Sequence, residues 1–153
     1  MNYTTHTENF IKSLYCKMGI TKPAQLQFQK IATAIDIQVI YWNRSSQALY
    51  DGSQVYIFLN EQLTEPQLWQ DFCHELGHVQ LHIGHQDRMT KSWIEYLENK
   101  ANNFMYHACV PSFILDEMEP DALTVQNIQQ LFNVEYDFAM KRLTQYLSRK
   151  MVQ

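Results

Sequence analysis

The chain has 153 residues, of which 46% are hydrophobic and 18% are charged, a balance typical of a soluble globular protein with a sizeable core. Its net charge of −4 gives no general attraction to nucleic acids or anionic membranes. Because it has neither a run of about 18 apolar residues nor the regions of a signal peptide, we expect no membrane span and no secretion.

The cysteines favour a cytoplasmic location. Cys16, Cys73 and Cys109 are odd in number and lack C-x-x-C spacing. Thiols of this kind are typical of a reducing compartment, where disulfides rarely persist. No change in composition marks a linker, so we expect a cytoplasmic protein that forms a single domain over residues 1–153.

The first part of the chain is predicted to form two helices and then three strands. Residues 7–18 predict a helix that Gly19 ends, and Pro23 is expected to begin a second helix. β-Branched and aromatic residues predict strands at 37–42, 48–50 and 53–59, which we expect to form an antiparallel sheet. If the third strand lies at an edge, it can bind an extended peptide, and an ordinary edge strand is an equal alternative.

A third helix is predicted to begin at Thr64, because Gln67 three residues later completes a capping box. Apolar residues recur along it every three or four positions and form one stripe, made of Leu68, Phe72, Leu76, Val79 and Ile83. The helix is expected to end near Gly84. Gly77 is unfavourable inside a helix, so we expect that its missing side chain lets another segment pass close by.

The polar side of this helix carries the H-E-x-x-H string His74-Glu75-Leu76-Gly77-His78. Residues four apart lie on one helix face, so His74 and His78 can place two imidazole nitrogens on one metal ion. Glu75 lies beside that metal, where a carboxylate suits a general base acting on water. His82 lies roughly 12 Å along the axis from His74 and is interpreted as a supporting residue or a helix-end cation.

A catalytic zinc site needs a third protein ligand, and Glu98 is the best candidate. It lies twenty positions after His78, far enough for a loop and the return helix of a hairpin, which is predicted over 96–104. Asn102, one turn further on the same face, is expected to accept a hydrogen bond from a ligand histidine. Glu98 taken alone would be interpreted as a solvated helix carboxylate.

Residues 111–153 are predicted to form a helical extension of a core made by residues 1–110. Two short helices in this extension have the spacing of a helix-turn-helix. The extension nevertheless carries four basic and six acidic side chains, and this negative net charge argues against DNA binding. We interpret it as a lid or partner surface and expect no direct contact with nucleic acid. For Tyr106, which precedes it, packing is favoured over the stabilisation of an oxyanion.

Three motifs in this order resemble the ImmA/IrrE family of zinc metallopeptidases: His74-Glu75-Leu76-Gly77-His78 followed by His82, Glu98-x-x-Ala101-Asn102-x-Phe104, and Val110-Pro111. The resemblance covers about residues 54–111 and weakens towards residue 143. It implies a small zincin-like α+β fold, in which helices surround the three-stranded sheet. It also implies that His74, His78 and Glu98 hold Zn²⁺ and that Glu75 is the catalytic base. The family often has Asp where this chain has Asn102.

The resemblance further implies a narrow substrate. Members of this family occur in bacteria and on mobile elements, where they relieve repression by cutting or otherwise acting on a repressor protein. We therefore predict a zinc-dependent endopeptidase that cleaves a transcriptional repressor of a prophage or mobile element. The alternative is a zinc-containing binding protein that sequesters a repressor without cutting it.

Overall fold

The structure is a computed structural model that describes residues 5–80 and 90–152. Its strands are β1 (Ile37–Trp42), β2 (Gln47–Asp51) and β3 (Gln54–Asn60). Its helices are α1 (His6–Lys17), α2 (Phe28–Ala34), α3 (Glu65–Gln80), α4 (Lys91–Cys109), α5 (Ser112–Leu115), α6 (Val125–Phe132) and α7 (Tyr136–Met151). The predicted α+β fold with a helical C-terminal part is thus confirmed. Within the described ranges, no helix has the length and apolar character needed to cross a membrane.

The sheet is mixed, with the strand order β1-β3-β2. β2 and β3 form the predicted hairpin, in which Tyr50 pairs with Val55 and Gly52 adopts a φ of +63°. β1 runs parallel to β3, with Ile37 opposite Val55. The prediction of a purely antiparallel sheet is therefore wrong. The reason is that β3 lies between β1 and β2. β1 and β3 each run opposite to β2, so they are parallel to each other, and in this order they are direct neighbours.

β3 is the central strand, which explains why it is apolar on both faces. It has a partner on each side, so the alternative in which it is a free edge is wrong, and β1 and β2 form the two edges. On one face, Ile57 and Leu59 are fully buried. Helix α3 packs against β3 and β2, while α2 packs against β1. On the other face, the rings of Trp42 and Phe58 lie 4.4 Å apart between centroids.

The helices begin and end close to their predicted positions, with one difference near the N-terminus. α1 ends at Lys17, and Gly19 follows it with a φ of +76°. The helix expected from Pro23 begins instead at Phe28. Pro23 opens only a short 3-10 turn, because Leu26 leaves the helical conformation with a ψ of 82°. The predicted end of the third helix near Gly84 lies outside the described residues.

The described chain forms two compact units. One contains residues 28–105, with the whole sheet, α2, α3 and most of α4. The other contains residues 5–27 together with 106–152, so α1 belongs with the C-terminal helices. In that unit the Tyr15 hydroxyl donates a hydrogen bond to the Ala108 carbonyl at 2.8 Å. The single domain over 1–153, with a core that ends at residue 110, stays a prediction.

A buried arginine stabilises the helical unit. Arg142 on α7 is 1% exposed, and its guanidinium donates to the carbonyl of Val110 at 2.9 Å and to the hydroxyl of Ser112 at 2.7 Å. Burial lowers the pKa of Arg142 to about 10, so the side chain stays charged at neutral pH. These charge-assisted hydrogen bonds join α7 to the segment between α4 and α5.

Candidate metal centre

Helix α3 begins with the predicted capping box. The backbone N–H of Thr64 donates to the Gln67 side chain at 3.1 Å, and the Thr64 hydroxyl accepts from the Gln67 backbone N–H at 3.4 Å. Phe72 and Leu76, from the apolar stripe, are fully buried. This packing fixes the rotation of α3 about its axis, and it thereby fixes the direction in which the H-E-x-x-H residues point.

Helices α3 and α4 approach each other at Gly77. A Cβ atom built on Gly77 would lie 3.1 Å from the carbonyl oxygen of Ala101, 3.2 Å from its Cα, and 3.2 Å from the Cβ of Phe104. The expected close passage of another segment is thus confirmed, and that segment is α4. Ala101 lies one helical turn after Glu98, so the same approach brings Glu98 towards the histidines.

The structure brings the three predicted ligands together. The Nε2 atoms of His74 and His78 are 3.1 Å apart. One Glu98 oxygen lies 3.1 Å from the Nε2 of His74, and the other lies 2.9 Å from the Nε2 of His78. A tetrahedral zinc ion with ligands at about 2.0–2.1 Å holds its donor atoms roughly 3.3 Å apart. The spacing of these three donors therefore fits a divalent metal ion.

The chemistry of the donors also fits a metal ion. The two imidazole rings meet nearly edge to face, at 82°, and both Nε2 atoms lie next to the Glu98 carboxylate. Two imidazole lone pairs and a carboxylate at this distance repel one another unless a proton or a metal cation lies between them. Burial, the largest influence, lowers the pKa of His78 against the opposing effect of Glu98. A low pKa favours the neutral imidazole that a metal requires.

Glu75 lies beside these three residues and is not one of them. Its side chain is 7% exposed, and its Oε2 atom is buried without a hydrogen-bond partner in the part of the chain that the structure describes. Burial raises the pKa of Glu75 to about 8, and the nearby charges of Glu98 and Asp71 act in the same direction. Without a metal, Glu75 therefore keeps its proton at neutral pH; a cation at the three neighbouring donors would favour the ionised form, in which a carboxylate acts as a general base.

The remaining predicted residues are placed as follows. Asn102 lies on α4 in an exposed position, one turn after Glu98, and its hydrogen bond to a ligand histidine stays a prediction. His82 lies outside the described residues. The ring of Tyr106 stacks on Phe138 with 4.3 Å between centroids, as expected for a packing residue. Cys73 is fully buried, and none of the three cysteines forms a disulfide.

One residue near Glu75 was missed from the sequence. Tyr50, on the edge strand β2, has a raised pKa, chiefly because of burial and also because of the charge of Glu75. The predicted hairpin held one signal, because the pairing of β2 with β3 determines which side chains of β2 lie on the sheet face that α3 covers. Nothing in the order of residues, however, indicated that α3 would cover β2.

A peptidase family model, described as an IrrE N-terminal-like domain, matches residues 32–144 of this chain. The match includes the whole sheet, α3, α4 and all three candidate ligands.

The chain belongs to the ImmA/IrrE family of metallopeptidases.

The chain is also similar to proteins of bacilli and of a bacillus phage. It is 40% identical over 153 residues to the phage-like element PBSX protein XkdA of Bacillus subtilis (strain 168), covering 97% of this chain and 77% of that protein. It is 36% identical over 157 residues to protein YqaB of the same strain, covering 100% and 91%. It is 26% identical over 118 residues to immunity region protein 2 of Bacillus phage phi105, covering 72% and 75%.

We expect this ImmA/IrrE family member to retain about one equivalent of a divalent metal ion per chain when it is purified without added metal. The reason is that His74, His78 and Glu98 present three converging donors. Elemental analysis measures both the identity and the amount of the metal. A His74→Ala, Glu98→Ala double variant is expected to lose the metal, and full retention by that variant would contradict the ligand assignment.

We expect the metal-free protein to lose stability relative to its Glu75→Gln variant as the pH rises. The folded state raises the pKa of Glu75 from 4.5 to about 8, so folding favours the protonated form. That contribution is fully present below the unfolded pKa and is lost as the pH rises through about 8. Thermal denaturation in a chelator at about pH 5 and about pH 8.5 measures the difference, and an equal difference at both pH values would be the contrary result.

We expect Gly77→Ala to weaken metal binding by about tenfold or more, because the added methyl group meets the backbone of Ala101 and displaces Glu98. Alanine favours an isolated helix by about 1 kcal/mol, so the helical content of the variant should not fall. Competition with a chromophoric chelator measures the affinity, and circular dichroism provides the control for folding. Unchanged affinity would show that the two helices tolerate the methyl group without moving Glu98.

Proposed function

We propose that this protein is a zinc-dependent endopeptidase that acts in the cytoplasm and cleaves a transcriptional repressor of a prophage or mobile element. The observation that carries the proposal is the convergence of His74, His78 and Glu98 beside the buried carboxylate of Glu75. Membership of a metallopeptidase family supports the reaction class. The phage-like element and immunity-region names of two relatives support the biological setting.

Zinc is the metal that this donor set suits best. Two imidazole nitrogens and one carboxylate form a ligand set known from catalytic zinc sites, in which the fourth position stays open for water or substrate. Imidazole also binds copper, iron and nickel, whereas magnesium and calcium prefer donor sets made only of oxygen. Glu98 is partly exposed, with 42% of its side-chain surface accessible, so the site can be reached from solvent.

In the proposed reaction, Glu75 takes a proton from a water molecule as that water adds to the carbonyl carbon of a peptide bond. When bound, zinc would acidify this water and polarise the carbonyl group. Glu75 then gives the proton to the nitrogen of the leaving amine as the C–N bond breaks. Its buried position holds the carboxylate in place between these steps.

A repressor is proposed as the substrate because of the relatives and the family. The net charge of −4 predicts no non-specific attraction to nucleic acid, which is compatible with a protein substrate. The rival proposal is a zinc-containing binding protein that sequesters the repressor without cutting it. The two proposals differ in one respect: only cleavage requires the proton transfer at Glu75.

We therefore expect Glu75→Gln to abolish cleavage while it preserves binding. The variant keeps the size of the side chain but removes the base, and the loss of a general base costs at least about 10²-fold in rate. The assay incubates the purified protein with the repressor encoded beside its gene and follows cleavage by mass spectrometry. Metal content and repressor binding are measured in the same samples.

The matched control is Glu95→Gln, which makes the same chemical change at an exposed position on α4. This control should cleave at the wild-type rate. If a metal-loaded Glu75→Gln protein relieves repression in cells as well as the wild type, with the repressor uncut, the protein acts by sequestration and the protease proposal is wrong.

A further inference from the structure

The hairpin places Tyr50 on the face of the sheet that is covered by helix. In an antiparallel pair, residues directly opposite each other have their side chains on the same face. Tyr50 on β2 lies opposite Val55, and Ala48 lies opposite Ile57. Ile57 is fully buried, so its face is the inner one. Tyr50 therefore lies on the inner face, near the end of the edge strand.

The path of α3 then places Glu75 at the level of Tyr50. α3 packs against β3 and β2 after a short connection, so it runs back over the strand that precedes it. Glu75 is ten residues after the start of α3 at Glu65, which corresponds to about 15 Å along the helix. Val55 is five residues before the end of β3 at Asn60, which corresponds to about 17 Å along the strand. The two positions therefore lie at a similar level along the sheet, and Tyr50 is paired with Val55. The effect of the Glu75 charge on Tyr50 agrees with this placement.

The surroundings of Tyr50 leave its hydroxyl available to a ligand. The side chain is 46% exposed, and within residues 5–80 and 90–152 the hydroxyl makes no hydrogen bond. Burial, together with the charge of Glu75, raises the pKa of Tyr50. The phenol therefore keeps its proton over the neutral range and remains a hydrogen-bond donor.

We propose that Tyr50 contacts the substrate and that its hydroxyl donates a hydrogen bond to the oxygen of the carbonyl group under attack, on the β2 side of Glu75. The proposal rests on the proposed peptidase function. As the water oxygen bonds to the carbonyl carbon, the π electrons of the carbonyl move to its oxygen, and the phenol stabilises that charge without giving up its proton. When the C–N bond breaks, its electron pair goes to the nitrogen, which takes the proton held by Glu75.

This contact is worth most in the transition state, because the carbonyl oxygen becomes charged only there. Removing one donor of this type typically lowers kcat by about 10²–10³-fold. Tyr50→Phe removes the hydroxyl and keeps the ring, so we expect kcat for cleavage of the neighbouring repressor to fall about 10²-fold with KM nearly unchanged. A residue that served only to pack the hairpin would not give this split.

Tyr41 provides a matched control. It lies on the opposite edge strand, β1, and pairs with Leu59, so it shares the inner face with Tyr50. Both tyrosines are 46% exposed. Tyr41→Phe therefore makes the same change at a similar place away from Glu75, and kcat should stay within about twofold of wild type.

A second measurement tests the position of Tyr50 without any substrate. The phenolate absorbance of the wild type minus that of Tyr50→Phe isolates the titration of this one tyrosine. The same difference measured in a Glu75→Gln background should show a lower pKa for Tyr50, because the charge that opposed its ionisation is gone. An unchanged pKa would place Tyr50 away from Glu75 and overturn the proposal.

The outcomes separate this proposal from the function on which it rests. If the wild type and Tyr50→Phe cleave the repressor equally well, the role of Tyr50 is wrong and the peptidase function stands. If the wild type leaves the repressor intact, the peptidase function is wrong and the role of Tyr50 in cleavage is wrong with it. A loss of kcat in Tyr50→Phe that Tyr41→Phe does not show, together with a lowered pKa of Tyr50 in the Glu75→Gln background, supports the proposal.

Discussion

The close approach of α3 to α4 at Gly77 is the constraint on which the candidate site depends. Neither helix carries a full ligand set by itself, because α3 supplies two imidazoles and α4 supplies one carboxylate. Glu98 comes within 2.9–3.1 Å of the two imidazole nitrogens because no side chain separates Gly77 from the backbone of Ala101. A glycine that is unfavourable for the isolated helix thus allows the contact that creates the site.

The sequence predicted the parts of this site that depend on local geometry. The helical spacing of His74 and His78, the capping box at Thr64 and the bounds of β1 follow from interactions among near neighbours, and the structure agrees with each of them. The order of the strands could not be predicted in this way, because near-neighbour interactions do not determine whether β3 pairs with β2 alone or lies between β1 and β2. The position of Tyr50 beside Glu75 depends on that choice, so it became visible only in the structure.

The site also holds polar groups that a purely structural core would not keep. Glu75 Oε2 and His78 Nδ1 are both buried without a hydrogen-bond partner among the described residues. Each unsatisfied buried polar atom costs about 1–3 kcal/mol, and ionising Glu75 costs more, because it is buried and lies near the charge of Glu98. Packing alone gives no reason for this arrangement, since an apolar residue at position 75 would remove the cost. The proposed role of Glu75 as a base would account for it.

The same reasoning connects the metal to the fold. Burial raises the pKa of Glu75. In the absence of a cation, Glu98 raises it further and lies within 3.1 Å of two imidazole nitrogens that compete for protons. A divalent ion at the centre of the three donors reverses both effects, because it attracts the carboxylates and favours neutral imidazoles. Since the unfolded chain has no such convergence of donors, a metal ion bound there would stabilise the folded state of residues 28–105. The electrostatic repulsion that makes the candidate site costly without a cation would therefore be the source of any affinity for one.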